Sequence, residues 1–109
     1  MHRADQTGKL ERAEQRRLKE VGRIRDLLTR KKLTLAQIDE DYKLPRGTAG
    51  NAVHEPHVAG ERAIAAALGT RPHLLWFSRY RHDGTRMSPQ PAENYRYARR
   101  ATSDETVAA

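Results

Sequence analysis

Three polar residues near the middle of the chain have side chains suited to reading the edges of DNA bases. Arg46, Thr48 and Asn51 lie within six residues of one another, and we expect them on the outward side of a short helix whose inward side carries Ala49 and Ala52. Arginine can donate two hydrogen bonds to guanine, asparagine can pair in the same two-point manner with adenine, and threonine can contact a thymine methyl group or a phosphate. This pattern predicts a surface that binds duplex DNA.

Two glycines and a histidine, Gly47, Gly50 and His54, complete the outward side of this segment. Each glycine inside a helix costs about 0.8–1.0 kcal/mol relative to alanine, so the helix needs a tertiary or ligand contact to hold it. The glycines fit a close approach of the helix backbone to DNA, and they equally fit close packing on a neighbouring helix.

Other kinds of chemistry find little support in the sequence. His54 and His57 flank Glu55-Pro56, but there is no third ligand at a fixed spacing and the chain has no cysteine, so we expect neither a metal site nor a cofactor. No Gly-rich phosphate loop, paired-carboxylate arrangement or nucleophile motif is recognisable. We therefore expect a protein that is not an enzyme and has no small-molecule substrate.

The charge is distributed unevenly along the chain. Residues 1–33 contain 11 Lys or Arg and 5 Asp or Glu, residues 34–69 contain 3 and 5, and residues 70–109 contain 7 and 4. Basic flanks around a slightly acidic centre favour a polyanion as partner, although net charge alone also fits RNA or a membrane surface. We expect phosphate contacts, which set affinity without choosing a sequence, from five residues: Arg30, Lys31, Lys32, Arg79 and Arg81.

The first element is predicted to be a long charged helix over residues 9–32. Val21, Ile24 and Leu28 recur at helical spacing on one face, whereas residues 1–20 are poor in apolar side chains and are predicted to be a charged helical extension. The domain needs those three residues for its core, which leaves too little apolar area for a stable dimer. We expect a monomer in solution that pairs only on DNA.

The next two helices have helix-turn-helix spacing. Thr34 is a suitable N-cap for a second helix that turns Ile38 inward, turns the acidic residues 39–41 largely outward and stops near Lys43. Leu44-Pro45 makes a tight corner, and a third helix follows over residues 46–54. Two helices joined by so short a turn leave the second one projecting, so that its N-terminal half can enter the major groove.

A fourth helix over residues 60–68 is predicted to end at Gly69, and a short fifth helix reaches Trp76. Trp76 is expected in the core with Tyr80 at its edge, a reading compatible with phosphate contacts from Arg79 and Arg81. Residues 81–109 are polar and are predicted to be a disordered tail. No long apolar run and no signal-peptide pattern is present, so we expect a cytoplasmic protein.

Residues 30–80 resemble the Ner/Nlp family of small helix-turn-helix regulators. The resemblance rests on Leu44-Pro45, Thr48 and Asn51-Ala52, on residues 60–72, which read GERAIAAALGTRP, and on residues 76–80, which read WFSRY. Lys43 stands where this family usually has a glycine in the turn, so it is expected to adopt the left-handed conformation.

The resemblance implies an all-α, five-helix, lambda-repressor-like domain over residues 21–80 with its third helix in the major groove. It implies a transcriptional repressor or activator in which Arg46, Gly47, Thr48 and Asn51 read double-stranded DNA. The alternative function is that of a basic adaptor that binds RNA or a protein partner through its N-terminal helix.

Overall fold

The computed structural model describes residues 2–95, with the side chains of residues 11–95. Its five α-helices are α1 (His2–Arg30), α2 (Leu35–Asp41), α3 (Thr48–His54), α4 (Val58–Leu68) and α5 (Pro72–Leu75), followed by 3-10 helices at Phe77–Arg79 and Ala92–Asn94. The predicted all-α helix-turn-helix fold is confirmed. Within residues 2–95 the only β pairing is a single antiparallel bridge between Tyr80 and Arg86. No described helix combines the length and the apolar character that crossing a membrane requires.

The predicted helix ends are set by local chemistry. The Thr34 hydroxyl accepts a hydrogen bond from the Gln37 amide at 3.1 Å and so caps α2. Gly69 ends α4 in the left-handed conformation, with φ 72°, where a glycine has no steric penalty. Lys43 also adopts positive φ, at 55°, as its position in the turn predicted.

The core lies where α1 crosses the helix-turn-helix. Its buried apolar residues come from every helix: Val21, Ile24, Leu28, Ile38, Ala49, Ala52, Val53, Ala63, Ile64, Ala65, Leu68, Leu75 and Trp76. Since α2 and α3 are only seven residues each, they depend on this packing rather than on intrinsic helix propensity.

The first helix begins at His2, earlier than the predicted start at residue 9, and it continues without a break through residue 20 to Arg30. Glu20 fastens it to the C-terminal part of the domain, accepting hydrogen bonds from the Ser78 amide at 3.1 Å and from the Ser78 hydroxyl at 2.9 Å. The 3-10 helix Ala92–Asn94 also packs against α1.

Residues 81–95 are not the disordered tail that their polar composition predicted. The Gln90 side-chain amide donates to the carbonyls of Arg79 at 2.9 Å and Met87 at 2.8 Å. The Asn94 amide donates to the Ser78 carbonyl at 3.0 Å. These side-chain hydrogen bonds connect residues 81–95 to residues 78 and 79, so the described structure continues past residue 80. The rest of the predicted tail, residues 96–109, lies outside the described residues.

Candidate nucleic-acid interface

The candidate recognition helix α3 begins at Thr48, two residues later than predicted. Gly47 is its N-cap, with φ 91°, and Arg46 lies in the preceding turn rather than in the helix. Arg46, Gly47 and Asn51 are exposed, whereas Thr48, Gly50 and His54 are half-buried. The structure thus brings the predicted base-reading residues together at the exposed N-terminal end of α3.

Asp39, predicted to face outward, is instead buried and joins α2 to the start of α3. One carboxylate oxygen accepts from the Gly47 amide at 2.8 Å, and the other accepts from the Ala49 amide at 2.8 Å. Two amides that begin a helix would otherwise lack partners. Asp39 therefore fixes how α3 projects, and only Glu40 and Asp41 of the acidic run are exposed.

The glycines near this helix have different roles. A Cβ atom at Gly50 would meet nothing within 4 Å, so close packing does not explain this glycine. A Cβ atom at Gly60 would instead clash with the Cβ of Ala52 and lie 3.3 Å from the Thr48 carbonyl oxygen. Gly60 is therefore the residue that allows α4 to cross α3 closely.

Four of the predicted phosphate-contacting residues are exposed. Arg30 pairs with Asp26 at 3.0 Å on the surface of α1, and Lys32 follows it in the left-handed conformation, with φ 56°. The Lys31 ammonium donates to the Leu68 carbonyl at 2.8 Å, which gives a hydrogen-bond partner to the last carbonyl of α4. Arg81 is exposed at the other end of the domain.

Arg79 does not lie where it could contact a phosphate, which corrects the prediction. It is 2% exposed, and its guanidinium donates to the carbonyls of Ala52 at 2.8 Å and Val53 at 3.2 Å, at the end of α3. It also lies 4.8 Å from the centre of the Trp76 ring. Trp76 is fully buried, as predicted, and its indole N–H donates to the Val53 carbonyl at 3.3 Å. Arg79 and Trp76 thus stabilise α3 by donating hydrogen bonds to carbonyls near its C-terminal end.

The buried carboxylate of Glu61 compensates the positive charge of Arg79. Glu61 pairs with Arg79 at 3.2 Å and Arg86 at 3.0 Å, and it accepts from the Tyr80 hydroxyl at 2.7 Å. Burial alone would raise the pKa of Glu61, but the hydrogen bonds from Arg86 and Tyr80 and the charge of Arg79 outweigh burial and lower it. The pKa of Tyr80 is raised, first by burial of its hydroxyl and then by the hydrogen bond to Glu61 and the negative charge of Glu61.

His57 has a structural role. Its Nδ1 accepts from the Gly60 amide at 3.0 Å, which caps α4, while the His57 amide donates to Glu61 at 2.7 Å. This reciprocal capping resembles the Ser/Thr and Glu/Gln arrangement common at helix starts. The sequence carried no capping-box signal for Glu61, because this glutamate follows His57 by four residues rather than three, and Asp39 and Arg79 carried no signal for their structural roles.

A family model described as winged helix-turn-helix DNA-binding matches residues 21–91. The chain is 36% identical over 53 residues to the negative regulator of transcription of Escherichia phage Mu, covering 49% of this chain and 71% of that protein. It is 41% identical over 56 residues to the sugar fermentation stimulation protein B of Escherichia coli strain K12, covering 51% of this chain and 60% of that protein. The corresponding protein of Shigella flexneri matches to the same extent. No solved structure gives a significant match.

Proposed function

Because the chain belongs to the winged helix-turn-helix DNA-binding family, we propose that it regulates transcription by binding a specific duplex sequence through α3. The observation that carries this proposal is the exposed N-terminal end of α3, presented by the two hydrogen bonds from Asp39. The likeness to a phage regulator of transcription supports the same role and agrees with the predicted Ner/Nlp resemblance. The proposal includes a cytoplasmic location and no catalytic activity.

In this proposal the residues at the start of α3 choose the base sequence. Arg46 and Asn51 contact base edges, and Gly47, Thr48 and His54 line the groove-facing side. The exposed basic residues Arg30, Lys31, Lys32 and Arg81 contact phosphates. We place the DNA-binding unit from residue 21 through the ordered segment 81–95, with residues 1–20 as its arm.

Replacing Arg46 or Asn51 by alanine is expected to weaken binding to the preferred duplex by about 1–3 kcal/mol and to relax the base preference. The preferred sequence is first selected from a random duplex library, and affinities are then measured by fluorescence anisotropy. Arg25→Ala, which removes one exposed charge from α1, is the control for Arg46→Ala.

The same measurement separates this function from that of a basic adaptor. A specific reader should prefer its duplex over a scrambled one by about 10³-fold or more. Equal affinity for the selected duplex, the scrambled duplex and an RNA of the same length would favour the adaptor. Equal losses on both duplexes in the Arg46 and Asn51 variants would mean that these residues contact only phosphates.

We further propose that the free protein is a monomer which pairs only on DNA. Ala13, on the face of α1 that could otherwise meet a partner, is already buried within the chain. Among the apolar side chains of residues 11–20 that the structure describes, Leu18 is exposed, at 53%. We expect sedimentation at micromolar concentration to give the mass of one 12.4 kDa chain. A stable dimer that disappears when residues 1–17 are removed would contradict this expectation.

A further inference from the structure

Basic side chains also meet in a cleft that is lined in part by α4. The cleft has a volume of about 410 Å³ and is lined by Val58 and Arg62 of α4, by Arg71 and His73 near α5, and by Asp83 and Arg86 of the loop closed by the Tyr80–Arg86 bridge. Arg62 and Arg71 are exposed. No role proposed so far uses either of them.

The balance of charge in this cleft favours an anion. Among the described side chains, no carboxylate forms an ion pair with Arg62 or Arg71. An Asp83 carboxylate oxygen, Oδ1, already accepts from the Thr85 amide at 2.9 Å and from the Thr85 hydroxyl at 2.6 Å. Arg86 shares the carboxylate of Glu61 with Arg79, so Glu61 alone does not balance the charge of Arg86.

The position of the cleft relative to α3 favours DNA as the source of that anion. Val58, the first residue of α4, lines the cleft. Two residues later, Gly60 packs against Ala52 and the Thr48 carbonyl in the first half of α3. Packed helices lie about 8–10 Å apart and a major groove is about 12 Å wide. We therefore expect the phosphates that border a groove occupied by α3 to lie within reach of long side chains of α4 such as Arg62.

We propose that Arg62 and Arg71, backed by Arg86, bind a backbone phosphate of the same duplex that α3 reads. This inference rests on the proposed function. A small phosphorylated ligand would be largely enclosed by its pocket, whereas Arg62 and Arg71 lie open to solvent. A phosphate within a duplex needs no enclosure, because α3 and the other basic residues already hold the strand on which it lies.

The test compares the double variant Arg62→Ala/Arg71→Ala with the charge-matched control Arg16→Ala/Arg25→Ala, which changes exposed residues of α1. Each lost phosphate contact should reduce the slope of log affinity against log salt by about 0.9. Between about 50 and 200 mM salt, the wild type and the control should therefore lose about 3.5-fold more affinity than the Arg62/Arg71 variant, as expected for one lost phosphate contact. Base preference should not change.

Ethylation interference gives a direct second measurement. At least one phosphate whose ethylation blocks binding of the wild type should no longer matter for the Arg62/Arg71 variant. Salt slopes and interference patterns equal to those of the control would overturn the proposal. Binding of inorganic phosphate to the wild type that Arg62→Ala/Arg71→Ala abolishes, together with an unchanged DNA slope, would also overturn it, in favour of a free phosphorylated ligand.

The two proposals can fail separately. If the wild type does not distinguish its selected duplex from a scrambled one, the proposed sequence-specific function fails. The salt slopes of the two double variants on the scrambled duplex still decide whether the cleft holds a phosphate.

Discussion

Replacing Glu61 by alanine is expected to lower the free energy of unfolding by about 3–5 kcal/mol. Glu61 is fully buried and is the carboxylate that balances Arg79, which is itself 2% exposed. Without Glu61, the Arg79 guanidinium keeps the carbonyls of Ala52 and Val53 as hydrogen-bond acceptors, but it loses the carboxylate with which it forms an ion pair. The charge of Glu20 still attracts Arg79 but forms no ion pair with it in this site of low dielectric constant. Urea unfolding at pH 7, followed by circular dichroism, measures the loss.

Two variants identify the cause of that loss. Glu61→Gln keeps the shape of the side chain and removes only its charge, so it should be nearly as unstable as Glu61→Ala. Asp26→Ala breaks an ion pair with Arg30 of similar length, 3.0 Å, but on the surface, where such a pair contributes about 0.2–1 kcal/mol. A Glu61→Gln variant as stable as the wild type would mean that the ion pairs with Arg79 and Arg86 do not stabilise the fold.

The pH dependence follows from the same contacts. Burial opposes ionisation of Glu61, yet the hydrogen bonds from Arg86 and Tyr80 and the charge of Arg79 place its folded pKa below the ordinary value. A carboxyl whose pKa is lowered by folding stabilises the protein above its unfolded pKa, about 4.3 for glutamate, and this stabilisation is lost as the pH falls through the folded pKa. The stability of Glu61→Gln should therefore fall less steeply than that of the wild type below about pH 4.5.

The helix boundaries that depend on neighbouring residues could be predicted from the sequence. Thr34 caps α2 and Gly69 ends α4 because each position is governed by its own backbone or by an amide three residues away. The positive φ of Lys43 was instead expected from the family resemblance. The inward positions of Ile24, Ile38 and Ile64 follow from helical periodicity. These local signals were enough to place α3 at the exposed edge of the domain.

The polar contacts between distant segments could not be predicted in this way. Arg79 resembles any surface arginine until α4 brings Glu61 to it and α3 brings the carbonyls of Ala52 and Val53. Helical periodicity identifies buried positions only where they carry apolar residues. A buried arginine that is paired with a carboxylate does not contribute to that pattern, so its burial cannot be detected in this way. Residues 81–95 were misjudged for the same reason, because Gln90 and Asn94 order them through side-chain hydrogen bonds to the backbone.

Asp39 shows how this limit affects the candidate site itself. Its neighbours in the acidic run, Glu40 and Asp41, are exposed as predicted, and nothing in the local sequence distinguishes Asp39 from them. Only the turn over residues 42–47, which brings the start of α3 back over α2, places two amides against its carboxylate. The exposure of the start of α3 could be predicted from the sequence, but the residue that holds this helix in position could not.

Replacing Asp39 by alanine is therefore expected to reduce both stability and specific DNA binding. The variant loses two charge-assisted hydrogen bonds and leaves the Ala49 amide buried without its partner. Such bonds contribute about 1.5–3 kcal/mol each and are not fully additive, so we expect a loss of about 2–4 kcal/mol in the free energy of unfolding. Because the same bonds hold Gly47 and the start of α3, specific affinity should fall even where the protein remains folded.

Glu40→Ala separates this effect from simple electrostatics. It removes the same negative charge from the same helix, but Glu40 is exposed, so its loss should leave stability within about 0.5 kcal/mol and should leave DNA affinity equal or slightly tighter. Asp39→Ala should instead weaken binding to the selected duplex more than to a scrambled one, at a temperature where unfolding curves confirm that both variants are folded. If Asp39→Ala behaves like Glu40→Ala in both measurements, the carboxylate does not position α3, and the packing of Ala49 and Ala52 in the core would have to fix the helix alone.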